Sequence, residues 1–163
     1  MTPRLLLADL RERGQLVALD DEQAHYAQRV LRLREGDTLQ VFDGRGSRWR
    51  AELVGQPREP ARVRLLEALN ALPESPLRIR LVQSISAAEK MDFTLEKAVE
   101  LGVASIQPVR SARSIVKLDD DRARKRLVHW RRLVEAACMQ CGRDTLPEVL
   151  LPVSLDAWLR QRP

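Results

Sequence analysis

The pattern of apolar and polar positions changes period along the chain, and each change marks an element. Over residues 20–35, Ala24, Ala27, Val30 and Leu31 recur at helical spacing. Asp20 or Asp21 can cap such a helix, and Gly36 can end it. Its other face carries His25, Arg29, Arg32 and Arg34. The period then drops to two. Leu39 and Val41 alternate with Thr38 and Gln40, and Trp49, Ala51 and Leu53 alternate with Arg48, Arg50 and Glu52. Between them Asp43-Gly44-Arg45-Gly46 is a hairpin turn signal. A further strand is predicted over 62–65. Residues 1–70 are therefore expected to form a compact β domain with one helix and polar faces made mostly of arginine. Residues 71–76, punctuated by Pro73, Ser75 and Pro76, are expected to be a linker.

From Leu77 onward strand and helix patterns alternate. A strand is predicted over 77–85. Arg78 and Arg80 interrupt it, which places it at a sheet edge or against the first domain. A helix comes next over 89–101, with Met91, Leu95, Ala98 and Val99 on one stripe and Gly102 as its stop. After it come a strand over 103–109, a polar loop over 110–114, and a long helix over 119–141. That helix carries Leu127, Val134, Cys138 and Cys141 on one stripe and ends at Gly142. A short strand over 148–151 precedes a last helix capped by Ser154. This rhythm predicts a parallel sheet with right-handed crossovers over residues 77–163. Doubly wound folds usually hold five or six strands, so an α/β domain with three is expected to be incomplete. The fold class expected is thus a two-domain α+β chain: a β domain, then a partial α/β domain.

Charge adds to this picture. The net charge is +5, and only Lys90, Lys97, Lys117 and Lys125 are lysines, so arginine supplies 24 of the 28 basic residues. A basic surface favours polyanions, and the guanidinium fork suits phosphate and stacks on bases. An arginine-rich coding bias explains the same composition, so composition alone leaves RNA binding open. No apolar run approaches the roughly 20 residues of a membrane span. The apolar start, Leu5-Leu6-Leu7-Ala8, is too short for a signal-peptide core, and a cytoplasmic location is expected.

Candidate chemistry is sparse. Cys138-x-x-Cys141 falls on an apolar stripe with only His129 nearby, so packing is the better reading than zinc, and no metal site is expected. His25 has no carboxylate at a spacing that suits general-base work, which leaves RNA contact or an ordinary surface histidine. Gly44-Arg45-Gly46 lies between strands, not between strand and helix, so it is no phosphate loop. It is a turn that offers Arg45 to a phosphate backbone. Lys90, Arg110 and Arg113 fall at or near the ends of the first two strands of the α/β domain, where such folds build sites; surface charge is the alternative.

Several segments together resemble the RsmE-type ribosomal RNA small-subunit methyltransferases. They are His25 with Val30-Leu31-Arg32, then Phe42-Asp43-Gly44, then Glu89-Lys90-Met91 with Lys97-Ala98-Val99-Glu100-Leu101-Gly102-Val103. Ile106-Gln107-Pro108 with Arg113-Ser114, and Ala136-Ala137-Cys138 with Gln140-Cys141-Gly142-Arg143, complete the series across nearly the whole chain. The resemblance implies a PUA-like RNA-binding barrel over 1–70 and the first part of a SPOUT methyltransferase domain over 77–163. It implies transfer of a methyl group from S-adenosylmethionine to N3 of a uridine in 16S rRNA, by a homodimer. Lys90, Arg113 and Arg143 are the candidates for the wall of that site. His25, Arg29, Arg32, Arg45 and Arg48 are the candidates for holding rRNA. The family's Gly-Pro-Glu-Gly-Gly and Leu-Arg-x-Glu-Thr stretches, which hold the cofactor in its trefoil knot, do not occur here. No cofactor-binding residue is therefore assigned, and a non-catalytic RNA-binding module is the alternative.

Overall fold

The structure, a computed structural model, describes residues 2–55, 60–111 and 119–161. It divides into two compact units, Met1–Pro73 with Gly142–Thr145, and Glu74–Cys141 with Leu146–Pro163.

The first unit is built on a five-stranded sheet. Its strands are β1 (Arg4–Leu6), β2 (Leu16–Ala18), β3 (Thr38–Phe42), β4 (Arg48–Val54) and β5 (Arg62–Leu69), in the order β1-β3-β4-β5-β2. β1 pairs with β3 in parallel, and the other pairs are antiparallel. With β1 and β2 as its edges the sheet is an open half-barrel. The alternation in β3 and β4 carries its core. Leu39 pairs with Ala51 and Val41 with Trp49. Leu39, Val41, Ala51, Val63 and Leu65 are fully buried while Arg50, Arg62 and Arg64 face solvent. A bulge between Arg50 and Ala51 shifts the register against β5.

The predicted helix over 20–35 is shorter and changes type. Helix α1 (Asp21–His25) starts in a capping box, in which Asp20 accepts the Gln23 backbone N–H and the Gln23 side chain accepts the Asp20 N–H. It runs into a π-helical turn, Tyr26–Val30, which Leu31 closes by donating its N–H to the Tyr26 carbonyl at 2.9 Å. The inserted residue rotates the side chains beyond it, so the predicted stripe breaks. Ala27 is buried and Val30 is exposed.

The second unit is a parallel sheet with helices. Its elements are β6 (Arg80–Ser84), α2 (Ala88–Glu100), β7 (Ser105–Arg110), α3 (Asp120–Cys141), β8 (Glu148–Val149), β9 (Val153–Ser154) and α4 (Leu155–Gln161). All its strand pairs are parallel, and β8 and β9 pair with successive parts of β7. β6 is an edge strand, which accommodates Arg80. Met91, Leu95, Ala98 and Val99 of α2 are buried as their spacing predicts. The helix ends in a Schellman pattern: Val103 N–H donates to the Ala98 carbonyl and Gly102 N–H to the Val99 carbonyl, with Gly102 at φ 85. α3 buries Leu127, Trp130, Val134 and Cys138. Cys141, expected on the same stripe, is exposed, because it occupies the last position of the helix. Ser154 Oγ accepts the Ala157 N–H at 3.1 Å, as an N-cap of α4 should. Among the described residues no helix is long and apolar enough to cross a membrane.

Gly142–Thr145 departs from the expected boundaries. Residues 77–163 were expected to form one domain, yet these four pack with the first unit. Thr145 bridges Gly44 and Arg45, and Gly46 N–H donates to the Asp144 carbonyl at 3.1 Å. The hairpin leaves these backbone groups unpaired by β3 and β4, so a returning segment can use them.

Candidate nucleic-acid interface

The turn between β3 and β4 is braced from its own sequence. Asp43 Oδ1 accepts the N–H groups of Arg45 at 2.7 Å and Ser47 at 3.0 Å, and Asp43 N–H donates to the Ser47 carbonyl. Gly44 and Gly46 take positive φ, at 74 and 105. Arg45 therefore stands exposed at the tip of a fixed loop.

Behind that loop lies a buried ionic cluster that sequence reasoning missed. Asp144, whose side chain is 1% exposed, meets Arg4 Nη2 at 2.8 Å and Arg48 Nε at 3.7 Å. Its other oxygen also accepts the Leu72 N–H at 3.2 Å. Arg4 donates as well to the Arg143 carbonyl at 3.0 Å and stacks 4.7 Å above the Phe42 ring centroid. Arg48 is one of the candidates for holding rRNA. Its side chain is 18% exposed and directed at Asp144, a positioning role behind the hairpin. Arg4 and Asp144 carried no signal, since neither is patterned with its neighbours and the two meet only in the fold.

His25, Arg29 and Arg32 are exposed around the π turn. Arg32 has φ 57, the left-handed region that non-glycine residues seldom adopt. Arg29 lines a cleft in the first unit, and so does Arg34.

In the second unit the carboxyl end of the parallel sheet, where α/β folds bind ligands, gathers small polar groups. Ser84 and Ser111 hydroxyls lie 3.3 Å apart across the ends of β6 and β7, and Arg110 pairs in register with Ser154. Lys90 is exposed in the first turn of α2, which begins just beyond β6. Gln107, buried within β7, donates to the Leu151 carbonyl at 3.0 Å and fixes the β8–β9 connection. Of the other two predicted wall residues, Arg143 belongs to the first unit, and Arg113 lies outside the described residues. The buried polar side-chain atoms without a hydrogen-bond partner among the described residues are Arg4 Nε, Arg48 Nε (whose ion pair with Asp144 is longer than a hydrogen bond), Asp92 Oδ1 and Trp130 Nε1. None of these residues belongs to the carboxyl end of the sheet. The groups described there, hydroxyls and a guanidinium, do not by themselves form a cradle for S-adenosylmethionine.

Two family models match the chain. One describes an RNA methyltransferase PUA domain and covers residues 19–66. The other describes an RNA methyltransferase domain and covers residues 73–163. Among solved structures, the ribosomal RNA small subunit methyltransferase E of Neisseria gonorrhoeae, bound to S-adenosyl methionine, superposes with a TM-score of 0.92 at 42% identity. That match covers 100% of this chain and 67% of the other. The protein of the same name from Buchnera aphidicola subsp. Acyrthosiphon pisum is 30% identical over 96% of this chain and 62% of its own length. The one from Synechocystis sp. is 32% identical over 99% of this chain and 51% of its own. The chain thus spans between about half and two thirds of these relatives' length. With its methyltransferase-domain match running through more than half of its residues, the chain belongs to the RNA methyltransferase family that includes the ribosomal RNA small subunit methyltransferases E.

Proposed function

We propose that this chain acts in S-adenosylmethionine-dependent methylation of N3 of a uridine in 16S rRNA, in the cytoplasm, with the first unit gripping the rRNA. The observation that carries the reading is the exposed basic set on two rigid supports, Arg45 on the Asp43-braced hairpin and His25, Arg29 and Arg32 around the π turn. The names of the relatives supply the RNA and the methyl donor. Phosphate contacts from such a set fix register without reading sequence. Methylation at N3 requires the imide proton to leave, and a nearby cation stabilises the anion that develops. Lys90, Arg113 and Arg143 are the residues we assign to orienting the RNA or bounding the reacting base. The methyl group comes from the sulfonium of S-adenosylmethionine.

A second reading is a non-catalytic RNA-binding module, in which the same exposed basic set binds RNA and no methyl group is transferred. One experiment separates the two. The chain is incubated with small ribosomal subunits and S-adenosylmethionine, and the rRNA nucleosides are analysed by mass spectrometry. N3-methyluridine above background supports the enzyme. Salt-dependent rRNA binding with no methylated nucleoside, and no heat of S-adenosylmethionine binding by calorimetry, supports the module. Rigid phosphate contacts predict a log–log salt slope of about −0.7 per contact on single-stranded RNA, so affinity insensitive to salt overturns both.

A further inference from the structure

The cleft in the first unit has a volume of about 510 Å³, within the range of roughly 300–1,000 Å³ typical of small-ligand sites. Its walls divide by chemistry. Arg29 and Arg34 supply two guanidinium groups, Leu33 an apolar surface over the buried Leu53, and Gln28 and Glu35 hydrogen-bonding groups. Two departures from ordinary backbone build it. The π turn carries Gln28 and Arg29, and the left-handed Arg32 reverses the chain so that Leu33, Arg34 and Glu35 come to line the same cleft. Both are uncommon, and both tend to be kept where a site requires them. The segment is also pinned. Leu33 N–H donates to the Ala27 carbonyl at 3.0 Å, Gly36 N–H to the Leu53 carbonyl at 2.9 Å, and Arg34 N–H to Asp37 Oδ2 at 2.7 Å. The cleft therefore exists before any ligand arrives, which lowers the cost of ordering it on binding.

We infer that this cleft is a subsite for one unstacked nucleotide of single-stranded RNA; the inference rests on the RNA-binding reading above. Its phosphate is shared by Arg29 and Arg34. Its base lies on Leu33, the half-exposed apolar side chain of the wall. Glu35 cannot face the phosphate without repulsion, so it takes the base edge, accepting from a ring imide N–H or an exocyclic amine, with Gln28 beside it. A base held in a duplex is stacked and cannot enter a concave site, so the subsite distinguishes a loop or single strand from a helix.

The test compares the chain with Arg29→Gln/Arg34→Gln and, as a control on the hairpin, Arg45→Ala. Fluorescence anisotropy is read on a short uridine-rich single strand and on a duplex of equal length. The double variant is expected to lose about ten- to a hundredfold in affinity for the single strand and much less for the duplex. Its salt slope should fall by about 0.7, because the two side chains share one phosphate. Independently, uridine 5′-monophosphate should move the amide resonances of residues 28–35 and of Leu53 and Gly55. Unchanged single-strand affinity in the double variant, with a loss in Arg45→Ala, overturns the subsite and leaves RNA binding standing. Equal losses on single strand and duplex overturn it too, in favour of a plain phosphate stripe. No amide shifts with the mononucleotide also overturn it. Absence of RNA binding by the unmodified chain overturns the subsite and the RNA reading together.

Discussion

Arg4 and Asp144 stand 140 residues apart in sequence and meet at 2.8 Å inside the first unit, with side chains 8% and 1% exposed. The pair ties the N-terminal strand to the segment that backs the Arg45 hairpin. A buried pair broken on one side leaves an uncompensated charge, which costs about 3–5 kcal/mol. Asp144→Ala is expected to lower the opening free energy of Val41 and Ala51 by that amount, measured by native-state amide exchange. A loss under about 1 kcal/mol would mean that water already solvates the pair.

Trp130 is fully buried, and its indole N–H has no acceptor among the described residues. Trp130→Phe removes an unsatisfied donor while opening a small cavity, and the two effects oppose each other. Its stability by urea unfolding should stay within about 1 kcal/mol of the parent, whereas Trp130→Ala should cost about 3–5 kcal/mol. Equal, large losses in both variants would point to a hydrogen bond that the indole makes in solution.

Lys97 bonds both oxygens of Glu100, at 2.8 and 3.0 Å, and Glu96 at 3.3 Å. The Glu100 bond is the largest cause holding its pKa above the ordinary lysine value. Because the folded value is raised, the contribution to α2 is fully present at neutral pH and disappears only as pH climbs through the raised value. Glu100→Gln should lower the Lys97 midpoint in an NMR titration of its side-chain methylene groups. An unchanged midpoint would show that the contact is not populated.

Cys138 is buried and Cys141 exposed, so a thiol reagent should distinguish them. One equivalent is expected to react in the native chain and a second only after unfolding. Cys141→Ser should abolish the native reaction; rapid modification of both thiols without denaturant would contradict the packing of α3.

What was legible in the sequence is what neighbouring residues decide among themselves. The stripe of Met91, Leu95, Ala98 and Val99 and its Gly102 stop come from helical spacing and one left-handed residue. The β3–β4 hairpin comes from alternation about Asp43-Gly44, and the Ser154 cap from a single hydroxyl at a helix start. The family resemblance was legible too, because its motifs lie along the whole chain in order. The carboxyl end of the second unit's sheet was foreseen through Lys90 and Arg110, since a strand–helix rhythm determines where strands end.

The rest depended on partners that lie far away in the chain. β1 and β2 have three residues each, too few to show a period, and they exist as strands because β3 and β5 offer them backbone groups. The helical pattern at 20–35 gave no warning of the π turn, because one inserted residue leaves composition unchanged while rotating every side chain after it. Arg48 looked like its exposed neighbours until Asp144 arrived from far downstream in the chain. Local sequence determined the helices, the hairpin and the kind of surface this protein presents. Only the tertiary structure decided which arginines stay exposed, as Arg29, Arg32 and Arg45 do, and which are committed to holding the fold, as Arg4 and Arg48 are, because a guanidinium's role depends on whether a carboxylate reaches it.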